Sequence, residues 1–241
     1  MIARTASDWL QAWEVSCGLS AARRPLELLR AATGARSAED FVDLPLGRRD
    51  ALLLDLRAAL FGSQVPCRVD CENCQTRLEL DFALEQMRAL AASSDLALEH
   101  DGFALRFRLP TTRDQLNISG CGSLQEARRR LLEACLSDVS HRGRPAPVDG
   151  LPEPLVDRVI AQMQAADPQA APTVELHCPA CGAHWEADFD VAQFLWAELD
   201  NWATHVMLDI HDLARAYGWS EQTILALSPA RRRRYVGMLA A

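Results

Sequence analysis

Two stretches of the chain, "DCENCQTRLELDFALEQ" (residues 70–86) and "HCPACGAHWEADFDVAQ" (residues 177–193), are the same small device written twice. A shift of 107 positions lays Cys71, Cys74, Glu79, Asp81, Phe82 and Gln86 onto Cys178, Cys181, Glu186, Asp188, Phe189 and Gln193. A CxxC turn presents two soft, anionic sulfurs to one side of a metal ion and leaves two positions of a tetrahedral site open. Each half therefore needs a partner, and the most economical partner is the other half. This predicts one zinc per chain held by Cys71, Cys74, Cys178 and Cys181. Four thiolates leave no position for a catalytic water, so the expected site is structural. Cys67, His177 and His184 lie close enough in sequence to replace one of the four. A redox dithiol is the competing reading, but such a pair opens a helix, whereas each CxxC here leads into an alternating polar-apolar run.

The other cysteines bear on compartment. The chain has eight, but no basic-then-apolar leader and no apolar run near the ~20 residues a membrane helix needs. A soluble cytoplasmic protein is the expectation, and there paired cysteines read as metal ligands before disulfides. The net charge of −8, with arginine as the sole source of positive charge, argues against broad nucleic-acid binding.

Residues 1–33 predict helices, with Trp9, Leu10, Trp13, Leu26, Leu28 and Leu29 as apolar positions and Pro25 at a helix start. Another helix is expected to be capped by Asp50 and to end at Gly62. Residues 77–82 alternate as a half-buried strand. In "DLALEHDGFALRFRL" the Asp101-Gly102 dipeptide marks a hairpin, with Leu105, Phe107 and Leu109 on one face. Thr112 and Gln115 fit a capping box. Helices are expected over 123–137 and 152–166, and residues 140–150 read as a loop. A long helix should run from Val191 to Tyr217, stopped by Gly218, followed by two short helices with Ser220 and Ser228 as caps.

The fold class that follows is α+β. It is mainly helical, with a small zinc-ribbon-like β-unit made of two distant knuckles and an inserted hairpin-plus-helix segment. The expected regions are 1–64 (N-terminal helices), 65–82 and 173–190 (the two half-ribbons), 83–172 (the insert), and 191–241 (long helix and helical hairpin). Closing so long a loop costs several kcal/mol of chain entropy; a structural zinc contributes ~10 kcal/mol or more.

Nothing in the sequence carries a recognisable catalytic constellation. There is no P-loop, GxGxxG or GxSxG, and His205 and His211 stand six apart, not at the HExxH spacing. Arg231, Arg232, Arg233 and Arg234 form the one dense basic run. On a helix they spread around most of the circumference, which suits pairing with local acids or with an acidic partner better than a nucleic-acid stripe. Tyr217 and Trp219 supply rigid aromatic area for docking a partner, or else close the domain core.

The stretch "FLWAELDNWATHVMLDIHDLARAYGWSEQTILALSPARRRRYVGML", and within it residues 210–239, resembles the baseplate-hub assembly chaperone family of T-even-type phages. That family is also found in bacterial contractile injection systems and prophages. Residues 43–62 resemble an N-terminal stretch of the same proteins. The resemblance implies a non-enzymatic chaperone or adaptor whose partners are protein components of a baseplate, hub or spike, with no membrane and no small-molecule substrate. A permanent baseplate subunit is the alternative within that context, and a zinc-ribbon nucleic-acid-binding regulator is the alternative outside it.

Overall fold

The computed structural model describes residues 4–89 and 95–239. The chain divides into two compact units, one of residues 1–38 and 192–241 and the other of residues 39–191. The N-terminal and C-terminal helices thus fall in one unit, and the helix over residues 46–61 belongs to the other, so the boundary runs inside the region 1–64.

In the first unit, α1 (Ala6–Cys17) starts at a capping box in which Thr5 accepts from the Asp8 N–H and Asp8 accepts from the Thr5 N–H. Helix α2 (Arg24–Thr33) begins with proline at its first turn and ends on Gly34 at φ 73°. The long helix α7 (Val191–Tyr217) has the predicted bounds, and Gly218 at φ 68° stops it. Helices α8 (Glu221–Leu225) and α9 (Pro229–Leu239) follow, with Ser220 and Ser228 accepting from the N–H groups of Thr223 and Arg231. Leu10, Ala203 and Val206 form the buried centre, flanked by Trp13, Trp202, Ile210 and Leu225. The Trp13 indole N–H donates to Asp200 at 2.8 Å, tying α1 to α7.

The second unit opens with α3 (Leu46–Phe61). The expected cap does not hold: Asp50 lies inside the helix, buried beside Arg49 at 2.7 Å. The carboxylate that serves the α3 N-terminus is Asp167, which accepts from the Gly47 N–H at 2.9 Å. An added Cβ on Gly47 would sit 1.8 Å from Asp167 Oδ1, so this close approach requires glycine. At the other end, Arg57 donates to the carbonyls of Gly62 and Gln64, satisfying groups left over by the helix terminus.

Strands β1 (Gln64–Asp70) and β2 (Arg77–Ala83) form one antiparallel hairpin, and β7 (Thr173–His177) and β8 (His184–Asp188) form another. Between them, β3 (Asp95–His100), β4 (Phe103–Arg108), β5 (Leu136–His141) and β6 (Arg144–Pro145) make an antiparallel four-stranded sheet in sequence order. Asp101 (φ 48°) and Gly102 (φ 80°) make the expected two-residue turn. The stretch read as loop over 140–150 instead contributes the end of β5 and all of β6, joined by Arg142 (φ 51°) and Gly143 (φ 77°) in the same kind of turn. Helices α4 (Thr112–Ile118), α5 (Leu124–Cys135) and α6 (Glu153–Ala166) complete the insert. Leu105 and Phe107 from β4, Leu136 from β5, and Leu155 and Val159 from α6 make its core. The α4 capping box stands one residue earlier than expected, with Thr111 as cap and Asp114 as its reciprocal partner. Thr112 is instead buried against Arg49, which donates to its hydroxyl at 3.1 Å.

The architecture is mainly helical with small sheets, and a four-cysteine cluster bridges the two distant hairpins. Among the described residues no helix is long and apolar enough to cross a membrane.

Candidate metal centre

Each knuckle is a tight turn built from the same backbone bonds. In the first, the Cys71 N–H donates to the Thr76 carbonyl at 2.9 Å and the Gln75 N–H to the Cys71 carbonyl at 2.8 Å. In the second, Cys178 donates to Ala183 at 2.9 Å and Gly182 to Cys178 at 2.8 Å. Both turns need a left-handed residue just after the second cysteine, and both have one: Gln75 at φ 58° and Gly182 at φ 75°. The sequence difference at this position does not alter the turn.

The two turns bring four sulfurs together. Cys71 Sγ lies 3.7 Å from Cys181 Sγ, Cys74 Sγ lies 3.6 Å from Cys178 Sγ, and the four atoms all lie within 4.8 Å of one another. Four sulfurs placed tetrahedrally at the zinc–thiolate distance of about 2.3 Å stand about 3.8 Å apart. A disulfide needs about 2.05 Å. The donor set and its spacing therefore fit a tetrahedral thiolate metal site. The shift of 107 carries Cys71 to Cys178 and Cys74 to Cys181, so it exchanges the two short contacts with each other. It also carries Phe82 to Phe189, and these two rings meet edge to face at 5.7 Å. The two hairpins thus contribute equivalent residues to the cluster and to the ring contact beside it.

Cys71 and Cys178 are buried with Leu78, and Val69, Ala183 and Trp185 pack around them; Cys74 and Cys181 lie at the exposed rim. Rim sulfurs are supported as thiolates by nearby donors. The side-chain hydroxyl of Thr76, 3.2 Å from Cys74 Sγ, and the Thr76 backbone draw the Cys74 thiol down to about 6. The Asn73 side chain, reaching over from the first knuckle, lowers the Cys181 thiol from its ordinary value, helped by the Ala183 backbone. Burial pushes Cys178 up to about 11, the cost that a bound cation would offset. Asn73 and Thr76 were not singled out from the sequence; the only signal for them is a polar donor beside each rim sulfur.

Cys67, His177 and His184 are outside the cluster. Cys67 lies within β1 opposite Leu80. His177 and His184 are cross-strand partners whose rings pack at 4.3 Å. Their counterparts under the repeat, Asp70 and Arg77, pair as ions at 3.1 Å. Both hairpins thus close with a matched cross-strand pair just before the metal-side turn, one ionic and one aromatic.

The sequence profile of the T4 bacteriophage base plate protein family matches residues 26–196, well over half of the chain. The chain belongs to that family. The match takes in residues 43–62 and both knuckles, and it ends before residues 210–239, where the larger part of the sequence resemblance lay. No curated protein and no solved structure gives a significant match to it. A base plate protein family is structural by its description, in accord with a chain in which no catalytic motif is evident.

In this base plate family protein the other predicted positions lie in the first unit, on α7–α9. Tyr217 stacks on Trp219 at 4.8 Å, and Tyr235 meets both edge-on, at 5.9 and 5.0 Å. Arg231, Arg233 and Arg234 are exposed. Arg232 differs from its neighbours: it is 4% exposed and donates to Asp209 on α7 at 2.9 Å. It is a clamp between two helices of its own unit, because on α9 it points inward while positions one before and one or two after it point out.

Proposed function

We propose that the chain is a zinc-stapled, non-catalytic assembly chaperone or adaptor for base plate or spike components of a phage-like contractile apparatus, acting in the cytoplasm of the producing cell. The observation that carries this reading is a closed set of four thiols inside the segment matched by the base plate family. Cys71, Cys74, Cys178 and Cys181 would hold one zinc ion and supply no open coordination position. Zinc would contribute rigidity and no Lewis-acid step, so function falls to protein surfaces. The family's description as a base plate protein favours a second reading in which the chain stays in the particle as a subunit.

One experiment in the producing cell separates these readings. Deletion of the gene should stop particle assembly. If the protein is then absent from purified wild-type particles, the transient role holds; if it is present in fixed stoichiometry, the subunit reading replaces it. Normal particles from the deletion strain would defeat both. Metal analysis of protein purified without chelator should give one zinc per chain. Cys74→Ser and Cys181→Ser, one from each knuckle, should each release it. Full occupancy in Cys181→Ser would mean that the knuckles do not share an ion.

A further inference from the structure

Helix α9 carries a concentrated cationic surface, most of it without a carboxylate partner among the described residues. Residues of α9 include four arginines and no acid. Arg232 is consumed by Asp209, but among the described residues Arg231, Arg233 and Arg234 have no carboxylate partner. This stands out in a chain of net charge −8 whose other arginine-rich helix, α5, pairs Arg128, Arg129 and Arg130 with Glu153, Glu133 and Glu126.

Helical spacing sorts the open groups. Arg231, Arg234, Tyr235 and Met238 stand at i, i+3, i+4 and i+7, which is one face of a helix. The Arg231 guanidinium lies over the Tyr235 ring, 5.8 Å from its centroid. Tyr235 continues into the Tyr217–Trp219 stack. Tyr217 is 39% exposed and Met238 54% exposed. The surface is therefore a fixed aromatic and thioether platform edged by two guanidiniums that have no carboxylate partner among the described residues, one of them, Arg231, also donating to the Tyr235 hydroxyl at 3.5 Å. The rings already hold one another in place, so little side-chain freedom remains to be lost on binding.

We propose that this face docks an acidic segment of a partner protein, one that carries an aromatic or aliphatic anchor between carboxylates. The anchor would cover Tyr217, Tyr235 and Met238, and the carboxylates would meet Arg231 and Arg234 in the fork geometry that guanidinium favours. Arg231 and Arg234 are only one helical turn apart, too short a track for a phosphate backbone, and the acidic remainder of the chain repels a polyanion. A segment with a few carboxylates around an apolar anchor fits that spacing. The proposal names the chemistry of a partner for the adaptor reading, on which it rests. Its test uses purified components, so it can fail while the deletion experiment succeeds.

The probe is a displayed library of random 15-residue peptides selected on the full chain, with the recovered peptides measured by fluorescence anisotropy. Recovered sequences should place two or more Asp or Glu around Leu, Phe or Trp. Their affinity should fall at least tenfold for Arg231→Glu/Arg234→Glu and for Tyr217→Ala. It should be unchanged for Arg158→Glu, an exposed arginine of the other unit. Circular dichroism checks helicity, and Arg231→Gln/Arg234→Gln replaces the charge reversal if that variant unfolds. Recovered peptides that lack acids, or that bind these variants normally, overturn the proposal. So does tighter binding of a 20-nucleotide DNA that the double variant abolishes. Self-association of the chain that the double variant abolishes overturns it in favour of a second copy.

Discussion

Gln75 and Gly182 hold the same place in the two knuckles, and both are left-handed. For a residue with a Cβ that conformation costs roughly 1–2 kcal/mol. Nothing lies within 4 Å of a Cβ built on Gly182, so a substitution there meets backbone strain alone. Gly182→Ala should lower stability by about 1 kcal/mol in urea unfolding of the metal-loaded protein, with zinc content unchanged. An unchanged midpoint would show that the turn relaxes elsewhere. The first knuckle carries that strain already, at Gln75 of "CENCQ". The four sulfurs were legible in the sequence because thiols three positions apart, repeated with their flanking strands, have few other uses. The donors Asn73 and Thr76 were not, because which sulfur each one reaches depends on how the two turns face each other. The same limit applies to Arg232: a run of four arginines does not say which one turns inward to Asp209.

Hairpins and the long helix were legible because their signals are local. Asp101-Gly102 and the apolar spacing of α7 depend on neighbours in sequence, and the elements have the expected bounds. Strand β6 was missed although Arg142-Gly143 turns as Asp101-Gly102 does, because prolines and polar residues around it hide any alternation. The α3 start was misread for a different reason: its carboxylate, Asp167, is 120 residues away. The start of helix α4 titrates. Asp114 is 2% exposed, accepts from the Thr111 N–H and hydroxyl, and receives both Nη groups of Arg108 at 2.7 and 2.9 Å. Burial pushes its carboxyl up, but Arg108 and Thr111 together pull it below the usual value. A lowered folded pKa contributes stability above the unfolded value of about 3.9 and loses it as pH falls through the folded one. Asp114→Asn should therefore cost roughly 1–3 kcal/mol at pH 7. The gap between wild type and variant, measured by urea titration from pH 7 to pH 2, should stay level above about pH 5 and shrink below pH 4. A gap that is the same at pH 2.5 as at pH 7 would mean that the carboxylate charge does not matter to the cap.

The whole chain divides into units that share no simple sequence boundary, since residues 1–38 and 192–241 form one and residues 39–191 the other. The four thiols all belong to the second. Free zinc about 1,000-fold above its Kd stabilises a folded state by about 4 kcal/mol, which for a protein of this size corresponds to roughly 8–16 °C in midpoint. Chelation should remove that increment, and re-addition of zinc should restore it. A melting curve indifferent to chelator would show that the cluster carries no metal. The sharing of one cluster by two distant hairpins has a mechanical consequence. With an ion in place, tension applied to the ends of the second unit would enter at β1, cross from Cys71 and Cys74 through the metal to Cys178 and Cys181, and leave by β8. Residues 75–177 close into a loop on that bridge and are tied to α3 as well, through Asp167 to Gly47 and Thr112 to Arg49, so the metal–sulfur bonds and those contacts would share the pull.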